Sequence, residues 1–543
     1  MELVTFFFRN LFHPFGDTLM KLKPPPKLNL KPTFNYSIEV VEDTENHTTS
    51  DMGAIAMRSI LDKTGIISFL VSGLYDPRDQ NRITHSLAQL LIQCILMLAQ
   101  GWGMLQSNRV KDDPAFKASC QTKRGGTVTD PDVQLASQPT MSRLLALLST
   151  AKNYARLSKA ILKLGLEHMW VRNGAQRQAV AILDADSMAV EAHGNQQGAK
   201  YNGHYNQNGF LPQIISNGET GDVLGARLRP GTDPETKGFP NFIVKIALKV
   251  KQLIADQVIL RLDAGFNGEQ TCAPLEENDI DYIMRVARNK RLNQMAAPYL
   301  HDCREDTVRY IELVYKADKW SHPRRVILVI RPRPQEIFDG SYFLVTSLDP
   351  SDFSGEEIAK LYRQRGKAEL HQGEMKAACK FAFPSSPRKK SHYRGKALPV
   401  IEESVPVDDD EVGMENAVRL LLYMLVYQLM HIARCILHSA PDQELETMEA
   451  STQVPASVRD TQWSSLDIEG STEACTLPDE TQTTEEEPHM HIRTFREQVL
   501  KVGAMMARHG RYIRFRISQS AVEAWKRLWE HFGTLEWHEL PSF

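Results

Sequence analysis

Residues 179–190 read AVAILDADSMAV, an apolar run interrupted by two acids. No helical stripe can be drawn through it, and it has the pattern of a strand buried on both faces. Side chains alternate along a strand, so Asp184 and Asp186 lie on one side. A second run, QVILRLDAGFNGEQ at 257–270, is an apolar strand ending at Asp263, with Gly265 and Gly268 to turn the chain. Carboxylates at strand ends are where an α/β sheet presents its chemistry. Each also has a structural reading, since an Asp after a strand often caps the next helix or sits in a turn. From about residue 176 strands alternate with helices, which predicts an α/β domain.

Further along, LYRQRGKAELHQGEMK at 361–376 places Tyr362, Arg365, Glu369 and Lys376 at spacings 0, 3, 7 and 14. On one continuous helix these side chains fall within roughly 60° of each other. Such a face sets a carboxylate between two cations, which suits a metal ion beside a phosphate: the carboxylate takes the metal, Arg and Lys the free oxygens. A solvated helix with an i,i+4 Arg/Glu pair has the same pattern.

The tetrad resembles the Y-x2-R-x3-E-x6-K signature of DDE transposases from bacterial insertion sequences, at every position and spacing. Other blocks resemble the thirteen-eighty group of these elements: RDQNRITHSL (78–87), DDPAF (112–116), SQPTMSR (137–143), HGNQQGAKYNGHYNQNGFLP (193–212), TGDVLGARLRPGTDP (220–234) and NAVRLLLYMLVYQL (416–429). The resemblance runs over about 35–438 and 492–532. It implies a ribonuclease H-like catalytic core with an all-β insertion between Asp263 and Glu369, and a mostly helical N-terminal domain that binds terminal repeats. It also implies a catalytic, metal-holding triad of Asp186, Asp263 and Glu369. Asp186 precedes Ser187 as the family's first Asp precedes a small hydroxyl residue, and Asp184 is a supporting candidate behind it. Two Mg²⁺ ions about 3.5 to 4 Å apart, replaceable by Mn²⁺, would be bridged by Asp186, with Asp263 and Glu369 holding one each. Arg365 and Lys376 would fix the DNA end, with Tyr362 against a terminal phosphate. The implied activity is cleavage at the element's ends and strand transfer into target DNA, through hairpin ends in the resembling enzymes. The implied partners are double-stranded terminal repeats, target DNA and a second copy of the chain.

Three other functions share parts of this pattern. LDADSM (183–188) is similar to the DxDx[T/V] motif of aspartate-nucleophile phosphatases, but Met188 stands at the Thr/Val position and the tetrad is left over. The other two are an inactive, transposase-derived DNA-binding protein and a ribonuclease H-like nuclease that cuts without joining.

Composition predicts a cytoplasmic protein with reduced thiols, and the resemblance implies association with the bacterial nucleoid. The seven cysteines (94, 120, 272, 303, 379, 435, 475) form no C-x-x-C and no His/Cys cluster, so no zinc site is expected. The start LVTFFFRNLF is interrupted by Arg9 and has no cleavage site of the secretory kind. The run LLLYMLVYQLMHIA (420–433) is shorter than the ~20 residues a membrane span needs and reads as a core helix. The formal charge of −3 conceals segregation: residues 440–490 hold 13 acidic residues and one basic, leaving +9 elsewhere. The basic remainder is the candidate DNA surface.

The expected domains are a flexible extension (1–32), the helical DNA-binding domain (33–175), the catalytic domain (176–438) with its β insertion at about 297–340, a disordered acidic insert (439–490) and a basic C-terminal segment (491–543). In the helical domain Arg143, Lys152 and Arg156 are candidate phosphate contacts. In the insertion, Trp320, Arg324 and Arg325 could stack on a base and clamp its phosphate. In the tail, Arg493, Arg496, Lys501, Arg508, Arg511, Arg514 and Arg516 oppose a single Glu497 and could line a phosphate groove; Arg508, Arg511 and Arg514 suit a helical stripe, whereas YIRFRI (512–517) alternates like a strand with both Arg side chains on one side.

Overall fold

A computed structural model describes residues 48–121, 134–193, 196–300, 307–331, 340–379, 412–438, 490–509 and 512–534, with short pieces at 381, 383, 392–393, 396–397, 537–538 and 540. The extension, the acidic insert and Arg511 lie outside the described residues.

After β1 (Thr48–Thr49) the chain forms α1 (Gly53–Thr64), α2 (Ile66–Gly73), α3 (Leu87–Ala99), α4 (Ser107–Val110), α5 (Pro114–Ser119), α6 (Gln138–Leu148) and α7 (Ala151–Arg172). Local chemistry sets these starts. Ser86 and Gln89 make a reciprocal capping box on α3, and Ser137 with Pro139 opens α6. The periodic run 139–170 is two helices, because the Thr150 side chain accepts the Asn153 N–H and begins α7 afresh.

The α/β part follows as β2 (Gln178–Ser187), β3 (Val190–Glu191), β4 (Lys200–Asn202), β5 (Gln207–Phe210), β6 (Gln213–Asn217), β7 (Val223–Arg227), α8 (Phe239–Leu253), β8 (Ala255–Leu262), α9 (Glu269–Glu277), β9 (Asp281–Val286) and α10 (Lys290–Leu300). Next come β10 (Arg309–Tyr315), β11 (Arg324–Arg331), β12 (Gly340–Thr346), α11 (Gly355–Arg363) and α12 (Gly366–Cys379). The last elements are β13 (His392–Tyr393), β14 (Lys396–Ala397), α13 (Met414–His438), α14 (Ile492–Phe495), a π turn over Arg496–Leu500, β15 (Ala504–His509), β16 (Tyr512–Ile517) and α15 (Gln519–Thr534).

One eight-stranded sheet, in the order β10-β11-β12-β9-β8-β2-β6-β7, organises the molecule. Its centre is parallel, β2 beside β8 and β8 beside β9, and both flanks are antiparallel. Strands of the parallel centre are covered on both faces, which is why their sequences are nearly continuous apolar runs. Val258, Leu260 and Leu262 of β8 enter one core and Ile259 another. Arg261 is the exception, fully buried on β8, and it forms a two-pronged pair with Asp184 of β2 at 2.7 Å for each bond. The segment between Asp263 and Glu369 supplies β10, β11 and β12, which extend the edge of this same sheet.

The helical part is completed by distant chain. α13 has the length and apolarity to cross a membrane, yet 94% of its most apolar window is buried against protein. Each fully buried Leu in it, such as Leu421 or Leu425, contributes roughly 1.5 to 3 kcal/mol relative to exposure. Residues after 490 return to the same core through Ile492, Phe495 and Leu500, and β15 pairs with β1 on one side and β16 on the other. The tail and the N-terminal helices therefore share a core, where the sequence was divided into separate domains.

Candidate active site

Register brings the two strand-end acids together. β2 and β8 run parallel with Ala185 opposite Leu262, so Asp186 and Asp263, the next residue of each strand, emerge side by side at the same end. Each is oriented by its own backbone: Oδ1 of Asp186 accepts the Ser187 N–H at 2.8 Å, and Oδ1 of Asp263 accepts the Ala264 N–H at 2.6 Å. That leaves both Oδ2 atoms facing Arg365, at 3.1 Å from Asp186 and 3.7 Å from Asp263. The Asp263 bond is also a cap on a short 3₁₀ turn, so the structural reading and the chemical one coexist in one side chain.

Arg365 reaches this position because the helix breaks. α11 opens with a capping box between Ser354 and Glu357 and ends at Arg363; α12 starts at Gly366. Between them the Arg365 N–H bonds to the Tyr362 carbonyl at 3.0 Å, and Ala368 N–H to the Arg365 carbonyl at 2.9 Å. These i,i+3 bonds tighten the turn, so Tyr362, Arg365, Glu369 and Lys376 do not share one continuous helical face. The Tyr362 hydroxyl donates to the Leu262 carbonyl at 3.4 Å, beside Asp263. Glu369, in the first turn of α12, and Lys376, in its last, are exposed. Glu369 does not close on Asp186 and Asp263 to form a three-carboxylate cluster in this structure.

Two side chains that sequence reasoning passed over complete the surroundings. Glu235 accepts a bond from the Ser187 hydroxyl and is held by Arg229 at 2.7 Å. Tyr205, between β4 and β5, faces Glu235, Asp186 and Asp263, whose charges join burial in raising its phenol. Glu235 gave no signal because it lies in an irregular loop, and only the β6–β7 hairpin carries it to Ser187. Burial pushes the Asp186 carboxyl up to about 6; Arg365 and the Ser187 N–H oppose this, while Asp263 and Glu235 add to it. Burial also opposes the charge on Arg365, but Asp186, Tyr362 and Asp263 outweigh it and raise its pKa. A carboxylate pair whose mutual repulsion is only partly relieved by one guanidinium fits a divalent cation.

Asp184 supports this site from behind. Its carboxylate is committed to Arg261, which also donates to the carbonyls of Gly218 and of Leu361 in α11, at 3.0 and 3.1 Å. The pair thus ties β2 to the helix that presents Arg365. A Cβ on Gly218 would lie 2.3 Å from the Arg261 guanidinium, so only glycine allows this approach.

Several expected DNA contacts are structural instead. Trp320 is buried against Tyr315, with ring centroids 5.5 Å apart, and has no face to offer a base. Arg324 is buried between Glu269 and Glu276, and Arg325 binds Glu312 and the carbonyls of Leu348 and Phe353. Arg156 lies over the Phe69 ring and donates to its carbonyl. In the tail, Arg496 is buried and bonds the Ala99 carbonyl, and Lys501 pairs with Asp51. Arg508 and Arg514 belong to the antiparallel pair β15–β16 rather than to a helix, with Arg514 and Arg516 exposed on one side.

Away from these carboxylates, a cavity of about 790 Å³ opens between α7, α12 and α13, with His168, His371, His431 and Cys435 among its lining residues. Beneath it Asp222, fully buried, lies 2.5 Å from Nδ1 of His168 and 3.6 Å from Nε2 of His431. The sequence reading expected no His/Cys cluster, because these residues are far apart in the chain. Only His431 and Cys435, one turn apart on α13, gave a local hint.

Residues 30–391 match the sequence model of the family described as transposase DDE domain group 1. The match covers about two thirds of the chain, and the protein belongs to that family. A search of curated proteins returned no match. Among solved structures, the chain is similar to piggyBac transposase in a synaptic complex with hairpin DNA, at 12% identity and a TM-score of 0.35, over 74% of this chain and 86% of that one.

Proposed function

We propose that this DDE transposase cuts double-stranded DNA at the ends of its insertion sequence and joins them to target DNA, on a ribonuclease H-like core, with Asp186, Asp263 and Glu369 as its acidic triad. The observation that carries this reading is the pairing of Asp186 and Asp263 at the ends of adjacent parallel strands, with both Oδ2 atoms turned to one cation. DDE transposases use divalent metal ions, and Asp186 and Asp263 would hold them, Mg²⁺ or Mn²⁺. Bound there, the ions would activate the attacking hydroxyl and stabilise the leaving oxygen of a phosphodiester.

Glu369 completes the set when α12 swings about the break at Gln364–Arg365. In that movement Arg365 exchanges the two Asp side chains for a phosphate oxygen, a trade between like anions that suits a bidentate guanidinium. Tyr362 and Lys376 flank the same DNA end, and the chain works as a dimer on paired ends. The test is an assay on DNA labelled at the element's terminal repeat. Cleaved ends and joined product with Mg²⁺ are expected, and hairpin ends on a denaturing gel identify the hairpin route. Cleavage without joining would assign a nuclease; repeat binding without cleavage would assign an inactive DNA-binding protein.

A further inference from the structure

We propose that His168, Asp222, His431 and Cys435 bind a single transition-metal ion of the zinc class, which clamps α7, the β6–β7 turn and α13 together behind α12. The chemistry of the donors is the first argument. Two imidazoles, a carboxylate and a thiol make a mixed N, O and S set that suits Zn²⁺ and does not suit Mg²⁺, which takes oxygen ligands. The second is placement: His168, Asp222 and His431 are all buried with ligand atoms within 4.8 Å of one another, and the half-buried Cys435 thiol stands beside His431 at the edge of that group and moves in to complete the set.

Distances carry the third argument. Bonds of 2.0 to 2.3 Å in a tetrahedron put ligand atoms roughly 3.3 to 3.8 Å apart. His431 Nε2 is 3.6 Å from Asp222 Oδ1 and 3.8 Å from Cys435 Sγ, both at that spacing. The His168–Asp222 contact, at 2.5 Å, is a direct hydrogen bond and must open by about 1 Å to admit the ion.

The surroundings hold the donors in place. Thr220 Oγ1 donates to Asp222 Oδ2 at 2.7 Å and Gln428 Nε2 to Oδ1 at 2.6 Å, and outer bonds of this kind orient a ligating carboxylate. Arg434 donates to His431 Nδ1 at 2.8 Å and to Glu374 of α12 at 2.7 Å. Binding metal through Nε2 puts the ring proton on Nδ1, so Arg434 gives up the imidazole and keeps Glu374. Arg172, which donates to Cys435 Sγ at 3.2 Å, keeps a compensating role beside a thiolate ligand. Gly221, with φ of +79°, leaves room for His371 of α12, so the turn carrying Asp222 is already seated against the helix that carries Glu369.

The test uses the full chain, purified without chelator and dialysed against buffer containing Mg²⁺. About one zinc per chain is expected by elemental analysis. After exchange into Co²⁺, visible bands of tetrahedral cobalt and a near-ultraviolet sulfur-to-cobalt band are expected. Cys435→Ser should abolish the sulfur band and keep the visible ones, and Asp222→Asn should reduce zinc to near zero in protein that circular dichroism shows to be folded. Asp186→Asn with Asp263→Asn should keep the zinc, separating this site from the catalytic carboxylates. Folded wild-type protein that retains no zinc and gives no tetrahedral cobalt spectrum would overturn the proposal, as would a cobalt spectrum unchanged by Cys435→Ser. If Asp222→Asn fails to fold, the Cys435→Ser spectrum decides.

Discussion

At the sheet end, Asp186 and Asp263 share one guanidinium and leave 19% and 47% of their side chains exposed; Asp222, between two imidazoles, leaves none. Both places gather acids that distant chain must bring together, yet they manage the charge differently. The sheet-end group is partly exposed and its two carboxylates share a single guanidinium, so positive charge is short and an incoming cation gains there. The Asp222 carboxylate is fully buried and already met by two imidazoles, a hydroxyl and an amide before any ion arrives, so this group serves cohesion. Carboxylates left partly unsatisfied are the candidates for chemistry, whereas satisfied ones hold the fold together.

The contrast can be broken most severely at the sheet end. Asp186→Asn or Asp263→Asn should lower DNA cleavage at least ~10³-fold, several kcal/mol of lost transition-state stabilisation, with repeat binding retained in a gel-shift assay. Next comes the support beneath. Asp184→Ala strands a buried Arg261 and should cost about 3 to 5 kcal/mol in urea denaturation. Wild-type activity and stability in that variant would deny the pair its role.

In chelator-treated protein the Asp222 cluster should show itself through pH. Burial disfavours the charge on His168, but Asp222 outweighs it and raises the imidazole to about 9 from an ordinary 6.5. A raised cation stabilises fully below the unfolded value, so stability should fall as pH climbs from 6.5 through about 9, and denaturation midpoints across that range would show it. Asp186 shifts stability in the same direction with pH, but because burial penalises its charged form rather than because a partner favours it. Its folded value, about 6, lies above its unfolded 3.8, so folding is favoured below that window and opposed above it. Asp186→Asn should therefore stabilise the inactive protein by about 1 kcal/mol at neutral pH. The smallest effect belongs to the tail: Arg514→Ala should change stability by less than about 0.5 kcal/mol while flattening the salt dependence of DNA binding.

Strand-end acids were legible because a parallel strand leaves a long apolar run, and its last residue is fixed by register. Asp184 and Asp186, two residues apart, were placed on one face, and Arg261, the charge inside the second run, turned out to be the partner of Asp184. The spacing 362–376 grouped four residues on one helix, whereas only Tyr362 and Arg365 meet the sheet end, since helical periodicity is blind to the turn of i,i+3 bonding at Gln364–Arg365. Basic residues misled for a simple reason. Lys and Arg counted from sequence look available, whereas Arg324, Arg325, Arg496 and Lys501 are held by acids or carbonyls that folding supplies from elsewhere. Glu235 and the His168–Asp222–His431 group depend on contacts between remote segments, which no local pattern encodes.

Because β1 pairs with β15, and Ile492, Phe495 and Leu500 fill the core beside α1, α3 and α13, the helical body cannot close before residues 492–517 have been made. Until residues 492–517 leave the ribosome, apolar faces of those helices stay bare and open to chaperones or proteases. A chain cut off before that segment leaves an unclosed helical body rather than a smaller working domain.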